Sequence, residues 1–149
     1  MQELHGYYIE DLSVGMTSIF AKTVTEADIV MFAGVSGDTN PVHINQLFAE
    51  GSMFKNRIAH GMLSASLIST VVGTRLPGPG CIYVSQNLRF RAPVKAGDTV
   101  VARATVKEIL RERRRVVLTT VCTVGDTVVI DGEATMMVSN RPDKTTDAV

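Results

Sequence analysis

Gly61-Met62-Leu63-Ser64-Ala65-Ser66-Leu67-Ile68-Ser69-Thr70-Val71-Val72-Gly73-Thr74-Arg75 carries no charge before its last residue. On a helical period, apolar or small side chains come round nearly every face, with Met62, Leu63, Ala65, Leu67, Ile68, Val71 and Val72 the largest. A helix without a charged face is expected to be enclosed by protein. It is too short to span a bilayer and carries several hydroxyls, so membrane insertion is not expected. Pro77-Gly78-Pro79-Gly80 stops it. Everything after reads as strand, with β-branched runs at 81–90, 99–109, 116–124 and 127–138, and with turns marked by Ala96-Gly97-Asp98 and Gly125-Asp126. Residues 17–24 read as one earlier strand. An enclosed helix with five strands suits a single curved antiparallel sheet packed around it, an α+β domain over residues 1–149. The outer face and edges of such a sheet need cover.

Between the first strand and that helix lies the chemistry-bearing segment. Thr25-Glu26-Ala27-Asp28 has the form of a capping start, and Ile29, Phe32 and Ala33 follow as one apolar helical face. That helix is expected to end at residues 34–37 and to deliver Asp38 to a loop. Ser36-Gly37-Asp38-Thr39-Asn40-Pro41-Val42-His43 then sets a carboxylate and an imidazole five residues apart among turn formers. Gly37 permits backbone angles closed to other residues, and Pro41 pushes Asn40 out of the helical region. Asp38 and Asn40 can each bond the nearby backbone. A carboxylate and a neutral histidine on a rigid bend can activate water and move protons near neutral pH. Residue by residue, a helix cap followed by a structural histidine is the alternative. Residues 45–49 read as a further helical turn.

The whole string is more specific than its parts. It resembles the signature of the MaoC-like (R)-specific enoyl-CoA hydratases: an aromatic, a short gap, an aliphatic and a small residue, Gly-Asp-x-Asn-Pro-aliphatic-His, then a small residue after five more. Phe32, Val35, Ser36, Gly37, Asp38, Asn40, Pro41, Val42, His43 and Ala49 fill it in order. Ile58-Ala59-His60-Gly61-Met62-Leu63 through Leu76-Pro77-Gly78 resembles the family's central helix and the turn after it. Ser85-Gln86-Asn87-Leu88-Arg89-Phe90 with Pro93-Val94-Lys95-Ala96-Gly97-Asp98 resembles its next strand and hairpin. The resemblance covers residues 15–138 and implies a hot-dog fold, one long helix wrapped by a curved antiparallel sheet. It implies reversible (R)-specific hydration of trans-2-enoyl-CoA, with Asp38 and His43 catalytic and the Gly61 N–H donating to the thioester oxygen as charge builds there. It further implies a homodimer, or higher homo-oligomer, with the site near the subunit interface. The same chemistry on acyl carrier protein thioesters is the alternative. A hot-dog thioesterase and a non-catalytic acyl-thioester-binding module are more distant ones.

Several residues carry two readings. His60 opens the central helix, where histidines more often satisfy backbone groups than catalyse. Glycine at Gly61 either allows close packing or exposes a helix-terminal N–H. Ser69 bonds back to the preceding turn, or by resemblance faces the catalytic loop and holds Asp38. Asn40 shapes the loop rather than touching substrate, and His5 is expected to be solvated. Arg111-Glu112-Arg113-Arg114-Arg115 is a solvated hairpin tip, or attracts an acidic partner such as the phosphates of CoA or a carrier protein.

Fifteen basic side chains balance fifteen acidic ones over 149 residues, so no global field draws the chain to nucleic acid or an anionic membrane. Cys81 and Cys122 form no metal-ligand pair, which suits reduced thiols and a cytoplasmic setting, the mitochondrial matrix being the other reducing possibility. Met1-Gln2-Glu3-Leu4-His5 has neither a basic start nor an apolar run, so no secretory signal is expected. Addition of water to an enoyl thioester requires no metal, flavin or nucleotide, and Gly78 and Gly80 are too sparse for a phosphate-binding loop. Acyl chain length is set by the shape of a tunnel expected along residues 47–54 and the central helix. Residues 142–149 are polar and expected to fray.

Overall fold

Strand β1 (Thr17–Thr23) is followed by helix α1 (Glu26–Ser36), two short helices α2 (Pro41–Ile44) and α3 (Gln46–Glu50), and the long helix α4 (Gly61–Thr74). Four strands complete the chain: β2 (Ile82–Phe90), β3 (Thr99–Leu110), β4 (Arg115–Val124) and β5 (Thr127–Met137). This computed structural model describes residues 2–142. The tail expected to fray lies outside the described residues from residue 143 onward. No described helix is long and apolar enough to cross a membrane.

The five strands form one sheet, antiparallel at every pairing, in the order β1-β3-β4-β5-β2. The last strand in space is thus the second in sequence. It reaches the far edge because the Gly61–Thr74 helix and its Pro-Gly turn carry the chain across the sheet before β2 begins. Helix α4 packs across β1, β3, β4 and β2. Period-two alternation puts Val100, Ala102, Ala104 and Val106 of β3 and Val116, Leu118 and Cys122 of β4 under it. Ile68, Val71 and Val72 of the helix meet them in the core, all 1 % exposed or less. The two alanines at the middle of β3 let the helix axis come close to the sheet.

Enclosure of α4 by its own chain is one-sided. Ser64, Ala65, Leu67, Ile68, Val71 and Val72 are buried, whereas Met62, Ser66 and Ser69 remain exposed along one flank. An uncharged sequence shows that a helix avoids water; it does not show that its own chain provides all the cover.

Helix α1 starts as its sequence indicates. The Thr25 side chain accepts from the Asp28 N–H at 3.1 Å, and the Asp28 carboxylate accepts from the Thr25 N–H at 2.8 Å. That backbone bond, against some opposing burial and with Lys22 3.1 Å away, holds the Asp28 carboxyl below the usual carboxylate range. The helix ends at Gly37, whose φ of 76° is a left-handed C-cap that glycine adopts without a steric penalty. His5 departs from expectation. It is half-buried, stacks on Tyr8 with centroids 4.2 Å apart and lies against Gly80.

Candidate active site

The segment after Gly37 is a chain of short caps. The Asp38 N–H donates to Ser36 Oγ at 3.1 Å, and Asp38 Oδ1 accepts from the Asn40 N–H at 3.2 Å. Asn40 then caps α2, accepting from the Val42 N–H at 3.2 Å, with Pro41 at the first helical position. Asn40 thus shapes the loop, as read from sequence. A short helix stands where a bend is expected, because Pro41 fits the first helical position, where its missing N–H has no partner to lose. The helix aims His43 inward, where it is 7 % exposed and its Nδ1 lies 2.7 Å from the Ile58 carbonyl oxygen. A carbonyl only accepts, so the hydrogen is assigned to Nδ1 and Nε2 is left as a bare base.

His60 joins this pair. Its Nε2 lies 2.9 Å from the Asp38 carbonyl oxygen, and its ring stacks on His43 with centroids 3.9 Å apart. Asp38, His43 and His60 each bring one ligand-type atom within 4.8 Å of the others, a set a cation could use as well as a proton. His43 and Asp38 are therefore brought together as expected. His60 satisfies a backbone group, also as expected, but the group belongs to the Asp38 loop. The 22 residues between them give no local signal of that contact.

A cavity of about 500 Å³ opens at the start of α4. Asp38, His60 and Gly61 line it, with Met53, Phe54 and Phe90 among its apolar wall. Residues 47–52 of the expected tunnel do not reach the wall. His43 is not part of the wall but sits against His60. Gly61 is the first residue of α4, where an N–H has no intrahelical partner and the dipole end is positive. The Phe90 ring covers it so closely that a Cβ at residue 61 would come 2.6 Å from a ring carbon. Ser64 was missed by the sequence reading: it lines the same cavity, and its buried hydroxyl has no hydrogen-bond partner among the described residues.

Within this chain Ser69 stands apart from the Asp38 loop that the resemblance implies it holds. It is exposed, two turns along α4, and no hydrogen bond joins it to Asp38 within the chain. The arginine run is likewise distant from this chain's cavity. It forms the tip between β3 and β4, and Arg115 pairs with Met137, whereas the cavity lies by Ile130 at the other end of β5. Seven residues of strand separate them, roughly 23 Å. Residues 111–114 are exposed, as a solvated tip would be, although the Arg111 guanidinium also donates to the carbonyls of Ile9 at 2.7 Å and Leu12 at 3.2 Å. The cation that does line the cavity is Arg91, paired with Asp131 at 2.9 Å.

Thiol chemistry has no place here. Burial pushes the Cys122 thiol up to about 12 and also raises Cys81, so neither is a thiolate near neutral pH. What remains is a carboxylate on a cavity wall, an imidazole base beside it and a helix-terminal N–H facing the same space.

Comparison with known proteins gives four likenesses that agree. The MaoC like domain matches residues 13–129. The (R)-specific enoyl-CoA hydratase of Rhodospirillum rubrum is 56 % identical over 91 % of this chain and 94 % of its own length. The 3-hydroxybutyryl-CoA dehydratase of Methylorubrum extorquens is 50 % identical over 95 % of this chain and 90 % of its own. Among solved structures, the unliganded R-hydratase PhaJ1 from Pseudomonas aeruginosa superposes with a TM-score of 0.84 at 43 % identity, covering 90 % of this chain and 86 % of that one. The helix-on-sheet architecture is the hot-dog fold.

Proposed function

The chain belongs to the MaoC-like domain family, and from that premise we propose that it hydrates trans-2-enoyl-CoA reversibly to (R)-3-hydroxyacyl-CoA, as a hydro-lyase. The observation that carries the reading is that Asp38 and Gly61 line one cavity, with a ring nitrogen of His43 held within 4.8 Å of the Asp38 carboxylate. The β-carbon of an enoyl thioester is electrophilic only as far as its carbonyl accepts electrons. The Gly61 N–H stabilises the enolate-like oxygen as that charge develops. Asp38 and His43 hold one water and take its proton as the oxygen bonds to the β-carbon. A proton returns to the α-carbon from the same face, so one water is added syn, and the reverse sequence is dehydration.

Crotonyl-CoA tests this directly, because its conjugated enoyl absorbance disappears on hydration. The expected result is rapid loss of that absorbance without release of free thiol. Thiol release would instead indicate a thioesterase, and binding without absorbance change a non-catalytic module. The relatives at 50 % identity and above carry CoA in their names, which favours CoA over carrier protein. A higher kcat/KM on the carrier-protein thioester would reverse that choice. The proposed setting is the cytoplasm, where free Cys81 and Cys122 stay reduced.

The proposed assembly is a homodimer. Strand β2 is an edge strand with Ile82, Tyr83, Val84 and Phe90 exposed, and Met62 and Phe90 carry that apolar surface to the cavity wall. An unpaired apolar edge is a template for association, and the uncovered flank of α4 gives the same indication. Size-exclusion chromatography with light scattering is expected to give twice the chain mass. A stable monomer at micromolar concentration would rule the dimer out.

A further inference from the structure

We infer that His60 is a positioning residue for the Asp38/His43 pair, setting where both groups stand without itself exchanging a proton with substrate. The inference rests on the hydration reading above. Three contacts converge on the ring. Nε2 donates to the Asp38 carbonyl oxygen at 2.9 Å, which ties down the loop residue whose side chain does the chemistry. One face stacks on His43 at a centroid distance of 3.9 Å and an interplanar angle of 29°. Phe32 of α1 packs against it at 4.9 Å and 53°.

The other end of the residue is equally fixed. His60 is the N-cap of α4, and its carbonyl accepts from the Leu63 N–H at 3.1 Å and the Ser64 N–H at 3.4 Å. The residue that follows it is Gly61, the oxyanion donor of the proposed reaction. A single side chain, 2 % exposed, therefore holds the carboxylate loop and the imidazole in register with the helix terminus. The Nδ1–Ile58 bond fixes one edge of the His43 ring, and the stack restrains the tilt of the ring about that bond.

His60 does not compete for the proton-transfer role. A carbonyl only accepts, so the hydrogen is assigned to Nε2, and that atom is engaged with Asp38. Nδ1 is buried and has no hydrogen-bond partner among the described residues. Misplacing a reacting group by about 1 Å costs on the order of 100-fold, which sets the size of effect to look for.

Two substitutions separate the contacts. His60→Phe keeps a flat ring for the stack and removes the donor; His60→Gln keeps an N–H donor and removes the stack. Each is expected to lower kcat on crotonyl-CoA by about 10- to 100-fold with KM changed by less than about threefold. Because a positioning residue acts only through what it positions, His60→Phe added to Asp38→Asn should cost less than about threefold more. A purely structural histidine predicts another pattern: a lower melting temperature in both backgrounds, with kcat per folded molecule unchanged in each. Folded His60→Phe protein with near wild-type kcat, or the same fold-loss in the Asp38→Asn background, overturns the inference. If His60→Phe does not fold, His60→Gln carries the same comparison. Wild-type rates in Asp38→Asn itself would instead overturn the hydration reading, so the two failures are distinguishable.

Discussion

Asp38→Asn protein is expected to fold, to keep its oligomeric state, and to hydrate crotonyl-CoA about two to four orders of magnitude more slowly in kcat, the usual scale for a lost general acid or base. The substitution is chosen for what it leaves in place. Asp38 Oδ1 accepts from the Asn40 N–H at 3.2 Å, and an asparagine Oδ1 can accept the same bond, so the turn survives. Only basicity is removed. His43→Gln retains an amide donor for the Ile58 carbonyl, now 2.7 Å from Nδ1, and is expected to lose a similar factor. The double variant should be little slower than the slower single one, because groups that share one water act as a unit. If both residues were only structural, the losses would appear in melting temperature and dimer yield while folded protein kept its rate. Measuring kcat, melting temperature and mass on the same preparations decides between the two.

Gly132→Ala is expected to damage the fold rather than the chemistry. Gly132 lies inside β5, paired with Leu88 on one side and Thr120 on the other. A Cβ there would overlap the Asn87 carbonyl oxygen and lie 2.8 Å from its carbon. Both are backbone atoms of the neighbouring strand, so no rotamer change relieves the clash. Local rearrangement is hindered too, since Asn87 Oδ1 accepts from the Glu133 N–H at 3.1 Å and pins the same spot. Overpacking of this kind costs about 3 kcal/mol, or about 6–12 °C in melting temperature for a domain of this size. Gly61 offers the contrast: its close neighbour is the ring of Phe90, 55 % exposed and able to swing away. A thermal melt of Gly132→Ala within about 2 °C of wild type would show that β2 and β5 can part locally at this point.

The parts of this fold legible in the sequence are those with periodicity or punctuation. The alternation through Val100, Ala102, Ala104 and Val106, and the Pro-Gly stop after α4, act within a few residues and survive into the structure with boundary shifts of one residue. Asp38 and His43 were legible because the turn chemistry between them is local as well. What was not legible depends on contacts distant in sequence. Uniform apolarity cannot say which flank of α4 its own sheet covers, and Ser69 lies on the flank left exposed within the chain. His60 was seen as a satisfier of backbone groups, but its acceptor lies 22 residues away and is brought to it only by packing. The arginine run was correctly read as a hairpin tip. Which end of the sheet it occupies follows only from strand order, and the order places it away from this chain's cavity.

The most direct test of the account is hydration of crotonyl-CoA in deuterium oxide, with the product's configuration read at both carbons. One Asp38/His43 pair serving one face of the substrate predicts a single diastereomer: an (R)-3-hydroxyl with deuterium added to the α-carbon on the same side as the oxygen. A product with the (S)-hydroxyl, with deuterium on the opposite face, or no product from folded protein would contradict it.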